Sequence, residues 1–220
     1  DSVNLKDAAF APVSAIAMQA IRRSKVSIGE TVVVIGLGLI GLLCCQILQR
    51  VGCRVVGYDP DTKRCEIALA LGCKVAVEDK EALGSEIKEL TANLGADSAI
   101  VCAGTPSDEP VNLSMKIARD RGRVVVVGDV GMDIDREEMY RKELDIVMSR
   151  SLGPGRYDQD YERQGRDYPP AYVRWTEARN MAACLEVISE GGLDTSALVS
   201  IETPIDSAPK AFSELLKNNP

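Results

Sequence analysis

Three glycines and one aspartate carry the clearest chemical signal in this sequence. Gly36, Gly38 and Gly41 form a G-x-G-x-x-G pattern directly after the apolar run 31–35. Asp59 follows 23 positions after Gly36, at the end of a second apolar run. A buried strand, a glycine turn, a helix and a second strand that ends in a carboxylate are the parts of a dinucleotide-binding unit. The pattern therefore predicts that this chain binds a nucleotide cofactor.

Each residue of the pattern has its own physical task. Gly36 permits a tight turn with positive φ, and Gly38, which has no Cβ, lets the backbone approach a pyrophosphate. Gly41 lets the following helix pack closely on the strand. At the N-terminus of that helix, free N–H groups and the helix dipole favour negative charge. The cofactor contacts expected at this turn are Gly36, Leu37, Gly38, Leu39, Ile40 and Gly41.

Asp59 also predicts which cofactor binds. A carboxylate at the end of the second strand accepts hydrogen bonds from the ribose hydroxyls and repels a 2′-phosphate. Arg64 opposes this argument, because an arginine near the ribose accommodates a 2′-phosphate. With Asp59 taken as dominant and Arg64 lying over the adenosine ribose, we expect NAD(H) to be preferred to NADP(H). Pro60 is expected among the cofactor contacts as well.

Composition excludes several classes of protein. The chain has 220 residues, a formal net charge of −7 and 45% hydrophobic residues, which suits one large globular domain. Its basic residues are scattered, so we expect no nucleic-acid partner. The longest apolar run is far shorter than a membrane span, and the N-terminus does not resemble a signal peptide. We therefore expect a cytoplasmic protein without a membrane partner.

Cysteine and histidine usage restricts the chemistry. There are seven cysteines, no C-x-x-C pattern and no histidine. An odd number of cysteines in apolar patterns is typical of reduced, buried thiols, and Cys44 and Cys45 are expected in a helix core. Without histidine, a catalytic zinc site inside this chain is not expected, and a His-dependent nucleophile is excluded.

Apolar periodicity predicts strands that alternate with helices. The predicted strands are 31–35, 54–58, 74–77, 97–102, 122–128, 144–148 and a short one at 198–201. The predicted helices are 5–25, 39–51, 60–71, 80–94, 109–118, 173–190 and 207–217. We expect one nucleotide-binding domain over 1–220, divided into a hinge helix (1–28), core βαβ units (29–150), a loop rich in tyrosine and arginine (151–172) and C-terminal helices with the short strand (173–220).

This alternation predicts an α/β fold with a doubly wound, parallel, six-stranded Rossmann sheet of order 3-2-1-4-5-6. The ligand of such a sheet lies at the carboxyl ends of the strands. The fourth and fifth strands are then expected to add the cofactor contacts Cys102, Ala103, Gly104, Thr105, Gly128, Asp129 and Val130. Thr105 either reaches the cofactor or caps the next helix, and Asp129 either faces the cofactor or is a solvated turn residue.

The segment 153–175 contains four of the six tyrosines and the only tryptophan. Arg156, Tyr157, Tyr172 and Arg174 are residue types that bind anionic or sugar substrates through stacking and bidentate hydrogen bonds. The same types are enriched where a neighbouring domain or subunit packs. The sequence leaves both interpretations open.

Several segments together resemble a known family. The glycine pattern with Leu69-Ala-Leu-Gly72, the run 122–128 and Lys142-Glu-Leu144 resemble the cofactor domain of medium-chain dehydrogenases, the zinc-type alcohol dehydrogenase superfamily. The segments 151–158 and 167–176 are similar to bi-domain oxidoreductases. The resemblance implies hydride transfer between a nicotinamide and an alcohol, carbonyl or sugar-like substrate.

The resemblance also implies what this chain lacks. Catalysis in the family needs a GroES-like domain, which we expect to be absent here, so that the chain alone is inactive. Many zinc-type members carry a ligand cysteine where this chain has Ala11, which implies a zinc-independent parent. The family commonly dimerises through the edge of the sixth strand, and we expect a homodimer. Two alternatives remain, a non-catalytic NAD-sensing domain and, less favoured, a methyltransferase-like domain.

Overall fold

Six parallel strands form one sheet within residues 3–218, the part of the chain that the computed structural model describes. Residues 1–2 and 219–220 of the predicted domain lie outside the described residues. The strands are β1 Thr31–Ile35, β2 Arg54–Tyr58, β3 Val75–Val77, β4 Ala96–Val101, β5 Ala118–Val126 and β6 Asp145–Met148. Their order is β3-β2-β1-β4-β5-β6, and every pairing is parallel. The predicted fold class and strand order are confirmed.

Helices connect the strands and cover both faces of the sheet. They are α1 Leu5–Ala8, α2 Ala11–Ser24, α3 Leu39–Val51, α4 Thr62–Ala70, α5 Lys80–Leu90, α6 Glu109–Ile117, α7 Arg136–Lys142, α8 Gln159–Gln164, α9 Glu177–Ser189 and α10 Ala208–Asn218, with 3-10 turns at Ser196–Leu198 and Ile205–Ser207. On β1, Val32 and Val34 pack with α2 and α3, whereas Val33 and Ile35 pack with α5. Because β1 is buried on both faces, its sequence is continuously apolar rather than alternating.

The N-terminal helix predicted at 5–25 is two helices. Pro12 lies in the first turn of α2, where its missing N–H needs no partner. Within a continuous helix, Pro12 would have to donate a hydrogen bond to Ala8, which it cannot do. The chain therefore ends α1 at Ala8 and begins α2 at Ala11.

The prediction of a short strand at 198–201 is wrong. This stretch begins at the end of the 3-10 turn Ser196–Leu198 and continues as irregular backbone. Ile201 is 60% exposed, so the apolar run does not enter the core. An apolar run becomes a strand only where a sheet edge is available to it, and no strand of the described residues pairs here.

Other boundaries differ for local reasons. The loop predicted at 151–172 contains the short helix α8, because the Asp158 side chain accepts hydrogen bonds from the backbone N–H groups of Asp160 and Tyr161. The helix predicted from residue 173 begins at Glu177, after the capping residue Thr176. Helix α7, which the sequence did not predict, begins after Asp135, whose side chain accepts from two backbone N–H groups.

A buried lysine joins α7 to the end of α6. The Lys142 ammonium donates hydrogen bonds to the carbonyls of Met115, Lys116 and Ala118, at 2.8–2.9 Å, and forms an ion pair with Glu138 at 2.8 Å. These carbonyls lie at the C-terminus of α6, where helical partners are missing and the helix dipole favours positive charge. Lys142 therefore fixes the junction between α6 and β5.

We predict that Lys142→Met lowers the free energy of unfolding by about 1–3 kcal/mol, because buried carbonyl groups lose their donor. Urea denaturation measures the change. Lys116→Met is the matched control: its side chain is exposed, so a change within about 0.5 kcal/mol is expected. An equal loss in both variants would contradict the role given to Lys142.

Candidate functional site

A cleft of about 500 Å³ lies at the carboxyl ends of β1, β2 and β4. This is the point where the strand order reverses, which is where ligands bind in open α/β sheets. The cleft is lined by Ile35, Gly36, Gly38, Tyr58, Asp59, Pro60, Arg64, Cys102, Ala103, Gly104, Thr105, Ser107, Glu109 and Pro110. A second cleft shares Gly104 and Thr105 and continues to Pro106, Asp129, Val130 and Gly131. Together they form one groove across the sheet.

Two glycines of the turn are required by the protein's own packing. Gly36 has φ +91°, and a Cβ there would lie 2.6 Å from the backbone nitrogen of Ala103. A Cβ on Gly41 would lie 1.9 Å from the carbonyl oxygen of Gly36. No side chain fits at either position, because backbone atoms already occupy the space. The turn is therefore pressed between the start of α3 and the end of β4.

Gly38 is different, because the protein itself does not require a glycine there. Its backbone angles, φ −70° and ψ −170°, are open to any residue, and a Cβ would meet no atom within 4 Å. Gly38 lines the cleft and is also the N-cap of α3, where no side chain of the described residues caps the helix. The missing side chain leaves space in front of an uncapped helix N-terminus, which is the arrangement that binds phosphate.

Asp59 is buried at the end of β2 and is held by the turn. One carboxylate oxygen accepts a hydrogen bond from the backbone N–H of Leu37 at 2.8 Å, and the other accepts from that of Asp61 at 2.9 Å. The neighbouring Tyr58 lines the same cleft, and burial, followed by the negative charge of Asp59, raises its pKa. The carboxylate thus fixes the glycine turn and faces the cleft.

Arg64 lies between two carboxylates. Its guanidinium is 3.4 Å from a carboxylate oxygen of Asp59 and 3.7 Å from one of Asp61. The side chain is 44% exposed, so solvent screens both contacts. The guanidinium at this end of the cleft therefore lies beside two negative charges, in contacts that solvent weakens.

The loops after β4 and β5 are joined to each other. The backbone N–H of Thr105 donates to the carbonyl of Asp129 at 2.9 Å, and Thr105 and Val130 pair as an isolated parallel bridge. A Cβ on Gly128 would lie 1.9 Å from the carbonyl oxygen of Ala103. Cys102 lies on the floor of the cleft, and its Sγ is 4.0 Å from that of Cys44, whose pKa is raised by this contact and by burial. These contacts form a rigid wall.

Thr105 and Asp129 both line the groove, and Asp129 has the exposed loop position that is one of its two predicted alternatives. The Thr105 hydroxyl accepts a hydrogen bond from the backbone N–H of Ser107 at 3.3 Å, so it stabilises the loop and does not directly cap α6. The Ser107 hydroxyl in turn accepts from Glu109, the first residue of α6. Asp129 is exposed and uses its backbone carbonyl to hold the loop.

Eleven of the sixteen predicted cofactor contacts come together in this groove, and five do not line it. Leu37 and Gly41 are buried in the packing of the turn, Gly128 packs on Ala103, and Leu39 and Ile40 form the first turn of α3. The groove also contains residues that the sequence did not predict: Pro106, Gly131, Ile35, Tyr58, Ser107, Glu109 and Pro110. Only the start of a helix after the fourth strand pointed to the last three.

The candidate residues of the tyrosine- and arginine-rich segment line neither part of the groove. Arg156 pairs with Glu162 and lies over the Tyr157 ring, with 4.7 Å between the guanidinium carbon and the ring centroid. Tyr172 is 89% exposed, and Arg174 stacks on Trp175. Tyr161 and Tyr168 stack on each other, and their hydroxyls donate to Thr176 and Asp158. Much of the segment therefore packs on itself.

Three other features bear on the class of protein. All seven cysteines are free; six are buried, Cys102 is half-buried, and Cys44 and Cys45 lie on the core side of α3 as predicted. Within residues 3–218, no three side chains of the types Cys, Asp or Glu come together as a metal site. In the same part of the chain, no helix has the length and apolar character needed to cross a membrane.

Known proteins share this sequence pattern and this fold. The family described as zinc-binding dehydrogenase matches residues 40–164, more than half of the chain. D-guloside 3-dehydrogenase from Escherichia coli (strain K12) is 28% identical over 211 residues, which cover 93% of this chain and 56% of that relative. The chain therefore spans about half the length of the curated relatives that it matches.

Solved structures agree on the fold. An alcohol dehydrogenase from Thermus sp. ATN1 superimposes with a TM-score of 0.78 at 19% identity, covering 99% of this chain and 57% of that one. A Sinorhizobium meliloti 1021 chain bound to NADP gives a TM-score of 0.71 at 21% identity, covering 93% of this chain and 54% of that one. The family match and the Rossmann sheet agree, and the chain belongs to the zinc-binding dehydrogenase family as a cofactor-binding domain.

Proposed function

We propose that this chain is the NAD(H)-binding domain of a dehydrogenase whose whole polypeptide oxidises an alcohol or sugar-like substrate or reduces the corresponding carbonyl. The observation that carries this proposal is the open space at Gly38, in front of the uncapped N-terminus of α3. Packing explains the other two glycines of the turn, whereas a ligand explains this one. The curated relative named D-guloside 3-dehydrogenase supports the substrate class.

The groove gives each part of the dinucleotide a place. The pyrophosphate would accept hydrogen bonds from the first N–H groups of α3, at Leu39 and Ile40. Asp59 would accept hydrogen bonds from the adenosine ribose, with Pro60 and Arg64 beside it. The nicotinamide would lie against the joined loops 102–105 and 128–130, and when bound it supplies the hydride acceptor or donor. The residues of this chain hold and orient the cofactor.

The preference for NAD(H) rests on the charges around Asp59. A 2′-phosphate would lie near the Asp59 carboxylate and be repelled by it. Arg64 opposes this repulsion only in part, because one positive charge lies beside the two negative charges of Asp59 and Asp61. A structure with a similar fold is bound to NADP, so the fold alone does not exclude that cofactor. The choice between NAD(H) and NADP(H) therefore depends on residues of this chain.

We propose that the substrate-binding and catalytic groups lie in the part of the relatives that this chain does not span. The match covers 56% of D-guloside 3-dehydrogenase, so that relative has a large region without a counterpart here. On this proposal the chain binds cofactor but turns over no alcohol by itself, works in the cytoplasm and behaves as one domain. NADH binding without turnover by the parent protein would instead favour the NAD-sensing alternative.

The edge strand β6 is the proposed dimer contact. It pairs with β5 on one side, and within residues 3–218 no strand pairs with its other side. Met148 on β6 is 56% exposed, and Tyr140 in the preceding helix α7 is 78% exposed. An open strand edge with exposed apolar groups favours pairing with a second copy.

We predict a homodimer in solution, measured by light scattering. Met148→Lys places a charge on the edge strand and is expected to shift the particle mass toward the monomer. Lys210→Glu, on the surface of α10 far from this edge in the chain, is the control and should leave the mass unchanged. A monodisperse monomer for the unaltered chain would count against the proposed contact.

We predict that the chain binds NADH and that Gly38→Ala weakens this binding by at least about tenfold without loss of stability. The added methyl group meets no protein atom but occupies the space in front of α3. Loss of the close approach to the phosphates removes charge-assisted hydrogen bonds, each of about 1.5–3 kcal/mol. Calorimetric titration gives the affinity, and thermal denaturation checks the fold.

Gly84→Ala is the matched control, because Gly84 also has open space at its Cβ position but lies in α5, outside the cleft. It should bind NADH as the unaltered chain does. If Gly38→Ala binds NADH normally, the phosphates do not lie where we propose.

We predict that the chain binds NADH more tightly than NADPH and that Asp59→Asn reduces this preference by about tenfold, which is about 1.4 kcal/mol. Asparagine keeps one of the two oxygen acceptors of Asp59 and removes the charge that repels a 2′-phosphate. Because its NH2 group replaces the second acceptor, thermal denaturation checks the fold. Titrations with both nucleotides measure the ratio of affinities. Asp79→Asn, at the N-cap of α5, is the control. Tighter NADPH binding by the unaltered chain would overturn the argument from Asp59.

A further inference from the structure

Trp175, the only tryptophan of the chain, lies between two guanidinium groups. The guanidinium carbon of Arg22 is 3.4 Å from the ring centroid, and that of Arg174 is 3.9 Å from it. Two groups this close to one centroid would overlap on a single face, so they must stack on opposite faces of the ring. Cation–π attraction holds each one, while their like charges repel each other.

The Arg22 side of this arrangement, in which Trp175 lies between Arg22 and Arg174, is anchored to the core. The Nε of Arg22 donates a hydrogen bond to the Asn180 side chain at 2.8 Å, and Asn180 is fully buried and donates to the carbonyl of Leu152 at 2.7 Å. Burial is the main cause that lowers the pKa of Arg22 to about 10, and the positive charge of Arg174 acts in the same direction. One guanidinium is therefore fixed and partly desolvated, whereas the Arg174 side is exposed.

No acidic side chain balances these two charges. Within residues 3–218, neither Arg22 nor Arg174 forms an ion pair. Three other arginines of the same region are paired with carboxylates, Arg156 with Glu162, Arg166 with Asp160 and Arg179 with Asp167, whereas Arg150 and Arg163 form no ion pair among the described residues. Acidic residues outnumber basic ones by 33 to 26 in this chain, so carboxylates are not scarce. What distinguishes this place is that two guanidinium groups without an ion pair share one aromatic ring.

We propose that Arg22 and Arg174, held on opposite faces of Trp175, form a binding site for an oxyanion, a phosphate or a carboxylate. An anion at the edge of the indole would accept hydrogen bonds from both guanidinium forks, which match the spacing of carboxylate and phosphate oxygens. It would also relieve the repulsion between the two cations. Arg23, which is exposed and donates to the carbonyl of Met148, adds positive charge next to Arg22 in the chain.

This site is separate from the cofactor groove. None of its residues lines either part of the groove, so its existence does not depend on the proposed function. The anion has two chemical sources, a phosphate or carboxylate on a small molecule, or the side chains of an acidic protein segment. Both offer the same acceptor oxygens, and the experiment must tell them apart.

The single tryptophan makes the site directly measurable by fluorescence. We expect saturable quenching or enhancement of Trp175 emission when sodium phosphate is added to the full chain, beyond the effect of sodium chloride at equal ionic strength. A second titration uses a poly-glutamate peptide. Saturation by phosphate assigns the site to small oxyanions, and saturation by the peptide alone assigns it to the carboxylates of a protein segment. The absence of a specific response to both probes would overturn the proposal.

Variants test the two guanidinium groups. Arg174→Gln and Arg22→Gln are each expected to weaken the saturable binding by at least about tenfold, because each removes a charge-assisted hydrogen-bond donor. Arg174 is exposed, so its variant remains informative even if the half-buried Arg22→Gln variant folds poorly, which circular dichroism checks. Arg166→Gln is the control, since Arg166 is already paired with Asp160. Equal weakening by the control, or none by Arg174→Gln, would overturn the proposal.

Discussion

The cleft depends on one backbone contact. Gly36, the first glycine of the turn, lies directly against the end of β4. The N–H of Cys102 donates to the carbonyl of Ile35 at 2.7 Å, and the N–H of Gly36 donates to the carbonyl of Tyr58 at 2.8 Å. At this point three strand ends meet within hydrogen-bonding distance. Only a residue without a Cβ fits between them, since a methyl group on Gly36 would lie 2.6 Å from Ala103. The position of α3, and hence of its N-terminus, follows from this contact.

Asp59 connects that contact to the chemistry of the cleft. The same carboxylate that is proposed to bind the ribose accepts a hydrogen bond from the backbone of the turn at Leu37. A substitution that removes both oxygens would therefore alter the turn as well as the nucleotide preference, and the two effects would be confused. Asparagine is the least disruptive replacement, because it removes the charge and keeps one of the two acceptors that hold Leu37 and Asp61, although its NH2 group replaces the other. Structural and proposed binding roles overlap here because the turn already contacts the buried carboxylate that is proposed to bind the ribose.

The sequence predicted the features that depend on neighbouring residues. The strands around Val33 and Val56 were predicted because buried parallel strands are continuously apolar, and Gly36, Gly38 and Asp59 because their spacing has a local cause. The prediction of a strand at 198–201 was wrong because an apolar run does not reveal whether a sheet edge is free beside it. Glu109 was missed for a related reason: it reaches the cleft through the packing of α6, and its ion pair is with Lys80, 29 residues away. Contacts between distant residues leave no periodic signal.

The role of the tyrosine- and arginine-rich segment also depends on contacts that the sequence does not reveal. Its composition left substrate binding and packing open, and composition could not separate them, because stacking and bidentate pairing serve both. The difference lies in whether each guanidinium already has a partner. Arg156 and Arg179 are paired with carboxylates of their own region, so their charges stabilise the segment itself. Arg174 shares a ring with Arg22, a residue 152 positions away, and neither has a carboxylate partner in the described chain. A charge becomes available for a ligand when folding brings it to a second like charge rather than to an opposite one, and that outcome is decided by tertiary structure alone.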